Sequence, residues 1–136
     1  MNAVLDASAF LPLLLDTSAN LALLPFGSVT HAYAPDLLLP EVGNALWKYH
    51  RSGTAVPSAR EVLTLLERCD VQLIEGSAIL ERAYALACEL DHPVYDCMYV
   101  AVALRHNAKL FTFDKRLAGR LRSSAYERLV TFQSKR

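Results

Sequence analysis

A short apolar run that stops on an acid limits this chain's folding options more than any other feature. Ala3, Val4 and Leu5 read as a buried strand, Asp6 ends it, and apolar residues at helical spacing follow at once through Phe10, Leu11, Leu13 and Leu14. A strand, an acid and a helix in so few residues describe the turn of a βα unit. In open α/β sheets ligands collect at the carboxyl ends of the strands, so Asp6 points into a crevice rather than into plain solvent. Ser8 has the residue type and position to cap the helix with its hydroxyl; the plainer alternative is that Asp6 is itself the cap.

The rest of the chain repeats the alternation. Residues 31–34 and 71–74 read as short strands, residues 109–113 as a clear one ending on Asp114, and residues 129–132 as an edge strand. Between them lie helical patterns. Pro35-Asp36 opens the strongest of the first half, with Leu38, Val42, Ala45, Leu46 and Tyr49 on one face and Glu41 on its inner side. Residues 58–68 form a third helix, with Val62, Leu63, Leu65 and Leu66 apolar. Ser77 caps a fourth that packs Ile79, Leu80, Ala83, Leu86 and Ala87, and Asp91-His92-Pro93 breaks it. A fifth starts near Tyr95-Asp96, and residues 116–122 make a short basic helix. Residues 19–24 suit a helix and 25–27 a turn, without a decisive pattern. Strands alternating with helices predict an α/β fold, a mostly parallel sheet with helices on both faces.

At 136 residues, 53% of them apolar, the chain is expected to be one domain, 1–136, with a substantial core. The start carries no basic residue and Asp6 interrupts its apolar run, which speaks against a signal peptide. The longest stretch without Asp, Glu, Lys or Arg, residues 17–35, holds Asn20, Pro25, Gly27, Ser28 and His31 and makes a poor membrane span. Cys69, Cys88 and Cys97 form no CxxC pair and read as buried thiols of a reducing compartment, so a soluble cytoplasmic protein is expected. The net charge of zero hides a division. Residues 1–104 carry 5 Lys and Arg against 12 Asp and Glu, whereas residues 105–136 carry 9 against 2. An acidic site beside a basic docking surface accounts for this, as does a solvated basic tail.

Four acids stand in apolar surroundings: Asp6, Glu41, Asp96 and Asp114. Singly, each has an ordinary explanation, as a cap, a stripe border or a first-turn acid favoured by the helix dipole. Together, buried and close, they would repel strongly, and a hard divalent cation resolves that conflict. Carboxylate oxygens suit Mg²⁺ or Mn²⁺; zinc would call for His or Cys, and His31, His50, His92 and His106 show no HxxxH or HxH spacing. Thr112 and Asp114, two apart on a strand, share a side, so Thr112 can support a metal ligand or its water.

The order Val4-Leu5-Asp6-Ala7-Ser8, Pro40-Glu41-Val42-Gly43-Asn44-Ala45-Leu46, Tyr95-Asp96-Cys97-Met98-Tyr99-Val100-Ala101 and Leu110-Phe111-Thr112-Phe113-Asp114 resembles the PIN domain. At this size it looks like the VapC toxins of bacterial and archaeal toxin–antitoxin pairs. The likeness runs from residue 3 to about residue 132. It implies a three-layer α/β/α sandwich and a ribonuclease dependent on Mg²⁺ or Mn²⁺. Asp6, Glu41, Asp96 and Asp114 match the family's acidic quartet as metal-holding and catalytic residues, and Ser8, Asn44 and Thr112 match the polar positions beside it. It further implies single-stranded or looped RNA as substrate, a homodimer, and an antitoxin protein that silences the site.

Phosphodiester cleavage needs a nucleophile at neutral pH and an offset for the charge of the transition state, and one or two metal ions supply both. Lys115, Arg116, Arg120 and Arg122 follow Asp114 and suit RNA phosphates, or simply form an exposed helix face. Tyr95, Tyr99 and Trp47 can stack on bases, although their helical spacing favours core packing. Two rivals bear on this reading. A haloacid-type phosphatase wants a second Asp where Ser8 stands, and a receiver domain wants a Lys where a late strand ends on Asp114. A non-catalytic RNA- or protein-binding module on the same fold has no use for clustered carboxylates.

Overall fold

The computed structural model of the chain describes residues 1–15 and 29–132. The helix and turn suggested within residues 19–27 lie outside those described. Five strands, β1 (Asn2–Leu5), β2 (His31–Pro35), β3 (Val71–Ile74), β4 (Lys109–Thr112) and β5 (Val130–Phe132), form one sheet in the order β3-β2-β1-β4-β5. Every pairing is parallel. The helices α1 (Ala7–Leu15), α2 (Leu38–Arg51), α3 (Ala59–Arg68), α4 (Gly76–Leu90), α5 (Val94–Arg105) and α6 (Lys115–Arg122) complete a three-layer α/β/α sandwich. Among the described residues, no helix is long and apolar enough to cross a membrane.

The order of the strands decides where a ligand can sit. The chain moves outward from β1 to β2 to β3, then returns to place β4 on the other side of β1 before moving out to β5. The connections on the two sides of the β1–β4 pair therefore diverge, which opens a crevice beyond the carboxyl ends of those two strands. Leu5 pairs with Phe111, and Asp6 N–H still donates to the Phe111 carbonyl, so Asp6 and Thr112 emerge side by side at the mouth of that crevice. The strands behind them are buried on both faces, as a covered parallel sheet requires: Val4, Leu5, Leu110 and Phe111 are all in the core.

Helix α5 runs through the centre, against β1, β2 and β4, and pairs along its length with α4. Cys97, Tyr99, Val100, Ala101, Val102 and Ala103 are buried round its whole circumference, so an acid in its first turn is not there for solubility. Helix α2 buries a narrower stripe of Leu38, Val42 and Leu46. Helix α3 starts with a capping box: Ser58 accepts from Glu61 N–H, and the Glu61 carboxylate returns to Ser58 N–H.

Several expectations need correction. Asp6, not Ser8, caps α1, because the Ser8 hydroxyl is committed elsewhere. Helix α2 begins at Leu38 rather than at Pro35-Asp36, since Asp36 N–H extends the sheet by donating to the Ile74 carbonyl. Helix α4 begins at Gly76 behind Glu75, which leaves Ser77 inside the first turn with no capping role. Leu63, Leu80 and Tyr49 lie on exposed faces instead of packing. Of the thiols only Cys97 is buried, and Cys88 is exposed. Tyr99 is in the core, whereas Tyr95 and Trp47 are exposed; Trp47 lines an apolar groove between α2 and α3 and carries the Arg51 guanidinium 4.8 Å from its ring centroid.

Leu110, fully buried on the central strand pair, should lose about 2–5 kcal/mol of stability as Leu110→Ala in urea denaturation, against under about 0.5 kcal/mol for Leu80→Ala. Equal losses would contradict this placement of the core.

Candidate metal and active site

The site is built outward from Asp6. Its Oδ1 accepts from Ala9 N–H at 3.0 Å and from the Ser8 hydroxyl at 2.5 Å, and its Oδ2 accepts from the Thr112 hydroxyl. Both hydroxyls are aimed by the far wall of the crevice. Phe113 N–H donates to Ser8 Oγ at 2.8 Å, and Asp114 N–H donates to Thr112 Oγ1 at 2.9 Å. A backbone N–H only donates, so each hydroxyl accepts there and directs its single proton at Asp6. Hydrogen bonds from two hydroxyls and an amide favour the ionised form of a carboxyl group. Burial works against this: Asp6 is 6% exposed, and desolvation is the largest influence on its pKa, raising it above the usual value. Its hydrogen bonds to Ser8, Thr112 and Ala9 pull the pKa down and the Asp96 charge pushes it up again.

Glu41, in the first turn of α2, is half-buried, and its Oε1 accepts from the Tyr99 hydroxyl at 2.7 Å. Desolvation raises its pKa, the Tyr99 bond opposes the rise, and the charges of Asp96 and Asp6 add to it. Burial and the Glu41 charge push the Tyr99 phenol far above its ordinary range, so it remains a donor. Asp96, in the first turn of α5, binds His92 Nε2 through Oδ2 at 2.7 Å. Its charge acts on Asp6, Glu41, Tyr99 and Cys97, and together with burial it helps push the Cys97 thiol up to about 11. The charged neighbours that act on Asp6 and Glu41 are thus carboxylates, with no described cation among them.

The structure therefore draws Asp6, Glu41 and Asp96 into one electrostatic group, with Ser8 and Thr112 clasping Asp6. Asp114 stands at the next strand end and spends its Oδ1 on capping α6, accepting from Arg116 N–H at 2.9 Å and Leu117 N–H at 3.3 Å. Its carboxylate is not among the charges that act on Asp6 and Glu41; it touches the site through its backbone N–H, which donates to Thr112. Asn44 is exposed on α2 and makes no hydrogen bond to the acids. Lys115, Arg116 and Arg120 line a groove of about 360 Å³ whose other wall is Asp91, His92 and Pro93; Arg122 does not line it.

Sequence reasoning missed two residues. Tyr99 was expected to pack and does, yet it also orients Glu41. His92 had no assigned role, although its place four residues before Asp96 was a usable signal. Hard oxygen donors of this kind fit Mg²⁺ or Mn²⁺. Among the described residues no group of three His, Cys, Asp or Glu side chains is close enough to hold a metal ion between them as they stand.

The PIN domain model matches residues 3–120, and the chain belongs to the PIN-domain family. A curated relative, Ribonuclease VapC3 of Pyrobaculum aerophilum, is 32% identical over 124 residues, covering 87% of this chain and 93% of the relative. Two solved structures share the fold. The crystal structure of PAE2754 from Pyrobaculum aerophilum has a TM-score of 0.63 at 23% identity, covering 88% of this chain and 79% of that one. A toxin–antitoxin complex from Klebsiella pneumoniae has a TM-score of 0.62 at 20% identity, covering 95% of each chain.

The raised pKa values give a pH dependence. Asp6 and Glu41 bind protons more readily in the folded than in the unfolded chain, so in chelator stability falls as pH rises through their folded pKa values. It is regained as pH falls toward the ordinary values of 3.8 and 4.5. Glu41→Gln, which keeps an acceptor for Tyr99, should raise the metal-free Tm near neutral pH and flatten this decline. Thermal unfolding across pH in EDTA checks it; identical profiles for the two proteins would contradict it.

Proposed function

We propose that this chain is a Mg²⁺- or Mn²⁺-dependent endoribonuclease and the toxin of a toxin–antitoxin pair. The observation that carries the reading is the set of mutually repelling carboxylates at the β1–β4 crevice, with no described Lys or Arg paired to them and a cationic groove beside them. A purely structural cluster of this kind only destabilises the fold, whereas a nuclease site has a use for it. The curated relative is named as a ribonuclease, and the Klebsiella pneumoniae neighbour comes from a toxin–antitoxin complex, which supports an antitoxin partner here.

Asp6, Glu41 and Asp96 would hold the ion. When bound, it activates water near neutral pH and offsets the charge that gathers on the phosphodiester. The chain's own residues do the rest. Ser8 and Thr112 fix both oxygens of Asp6, and Tyr99 fixes one of Glu41, so the acids need not reorganise when the substrate arrives. Asp114 orients water at the edge of the group or assists a second ion. Lys115, Arg116 and Arg120 hold RNA phosphates beside the scissile bond, where each contact adds affinity without sequence information. The exposed ring of Tyr95, one residue before Asp96, is available to stack on a base. We place the protein in the cytoplasm and as a homodimer.

Purified protein should cut a mixed RNA pool with Mg²⁺ or Mn²⁺ and not with chelator. Asp6→Asn and Asp96→Asn should each lower the rate by at least ~10–100-fold, the cost of losing even an indirect metal partner. Cutting that survives chelator or both variants would overturn the proposal. For the groove, Arg120→Ala should weaken RNA binding and reduce the salt slope by about one, with little effect on cleavage at saturating RNA; an unchanged slope would remove Arg120 from the RNA path.

A further inference from the structure

The turn between α4 and α5 carries a residue that neither composition nor the acidic pattern explains. His92 Nε2 and Asp96 Oδ2 are hydrogen-bonded at 2.7 Å, and the His92 side chain is only 6% exposed while that of Asp96 is 29% exposed. The contact joins residues four apart in sequence and engages one of the two carboxylate oxygens.

The backbone around this imidazole is locked. Asp91 closes α4 in the left-handed conformation at φ 50°, one of the few residue types that tolerate it. His92 N–H donates back to the Ala87 carbonyl at 3.2 Å, and the His92 carbonyl accepts from the Cys97 thiol at 3.8 Å. Pro93 follows at φ −53° and accepts from Cys97 N–H at 3.3 Å. The imidazole is thus set before any ligand arrives, with Nε2 on Asp96, and His92 lies among the residues lining the groove of Lys115, Arg116 and Arg120. Asp96 is also the one acid whose charge reaches both Asp6 and Glu41.

We propose that His92 is a positioning residue for divalent-cation binding: by occupying Oδ2 it fixes the Asp96 carboxylate and leaves Oδ1 as that residue's ligand atom. Because the same turn, Asp91-His92-Pro93, walls the cationic groove, the acids and the phosphate path share one rigid element. The inference rests on the metal reading above.

The test is calorimetric titration of Mn²⁺ into RNA-free protein, alongside metal-free Tm in EDTA. His92→Phe keeps a ring and removes the donor; His92→Gln keeps an N–H donor and removes the ring. His92→Phe should bind Mn²⁺ ~10–100-fold more weakly, with His92→Gln recovering much of the loss. Their metal-free Tm values should not follow that order. Wild-type affinity in His92→Phe overturns the inference alone, as does an equal loss in both variants that tracks metal-free Tm. No Mn²⁺ uptake by the wild-type chain overturns the metal reading, and this inference with it.

Discussion

Much of this molecule follows from placing the Asp6 carboxylate, nearly out of solvent, between the two strands where the sheet changes direction. An isolated buried charge of that kind is costly, and it persists only where donors replace the lost water. Here they are the hydroxyls of Ser8 and Thr112 and the amide of Ala9, and the hydroxyls are aimed in turn by Phe113 N–H and Asp114 N–H. The network stitches β1 to the segment after β4, across 104 to 106 residues of sequence. It belongs to the parallel sheet as much as to the site, because only the β1–β4 register brings Thr112 alongside Asp6.

Once Asp6 is clasped in place, Glu41 and Asp96 become the more telling residues. Neither caps a helix or pairs with a described Lys or Arg; Glu41 accepts from the Tyr99 hydroxyl, and Asp96 is hydrogen-bonded to His92 Nε2. A hydroxyl donor fixes a carboxylate without cancelling its charge. The group therefore retains its negative field, which serves a ligand that brings positive charge. Nearby, Lys115, Arg116 and Arg120 remain on the far wall of a separate groove, where they do not quench the acids. This segregation of charge by sign is what a metal site beside a phosphate path requires.

The strand-and-helix alternation was legible in the sequence because fully buried strands such as Ala3-Val4-Leu5 and Leu110-Phe111 leave unmistakable apolar runs. Strand β3 was legible as a short apolar run although only Ile74 of it is buried. Element starts were less so: Asp36 and Ser77 have the chemistry of helix openers, but sheet pairing at Ile74 overrode the first and an early start at Gly76 the second. Within the site, the acids could be named from their apolar surroundings. Their convergence could not, since it depends on strand order. Tyr99 reads as core by spacing and is core, so nothing local reveals its bond to Glu41 58 residues away.

The central claim is that repulsion among Asp6, Glu41 and Asp96 is relieved by a divalent cation bound to the folded chain. Its most direct test is thermal unfolding with Mn²⁺ or Mg²⁺ against a monovalent salt of matched ionic strength. A ligand at 100 times its Kd adds about 2.7 kcal/mol to the folded state, which predicts a Tm rise of roughly 5–10 °C. That rise should vanish in an Asp6→Asn, Asp96→Asn double variant. No divalent-specific rise, or one that persists in the double variant, would contradict the account.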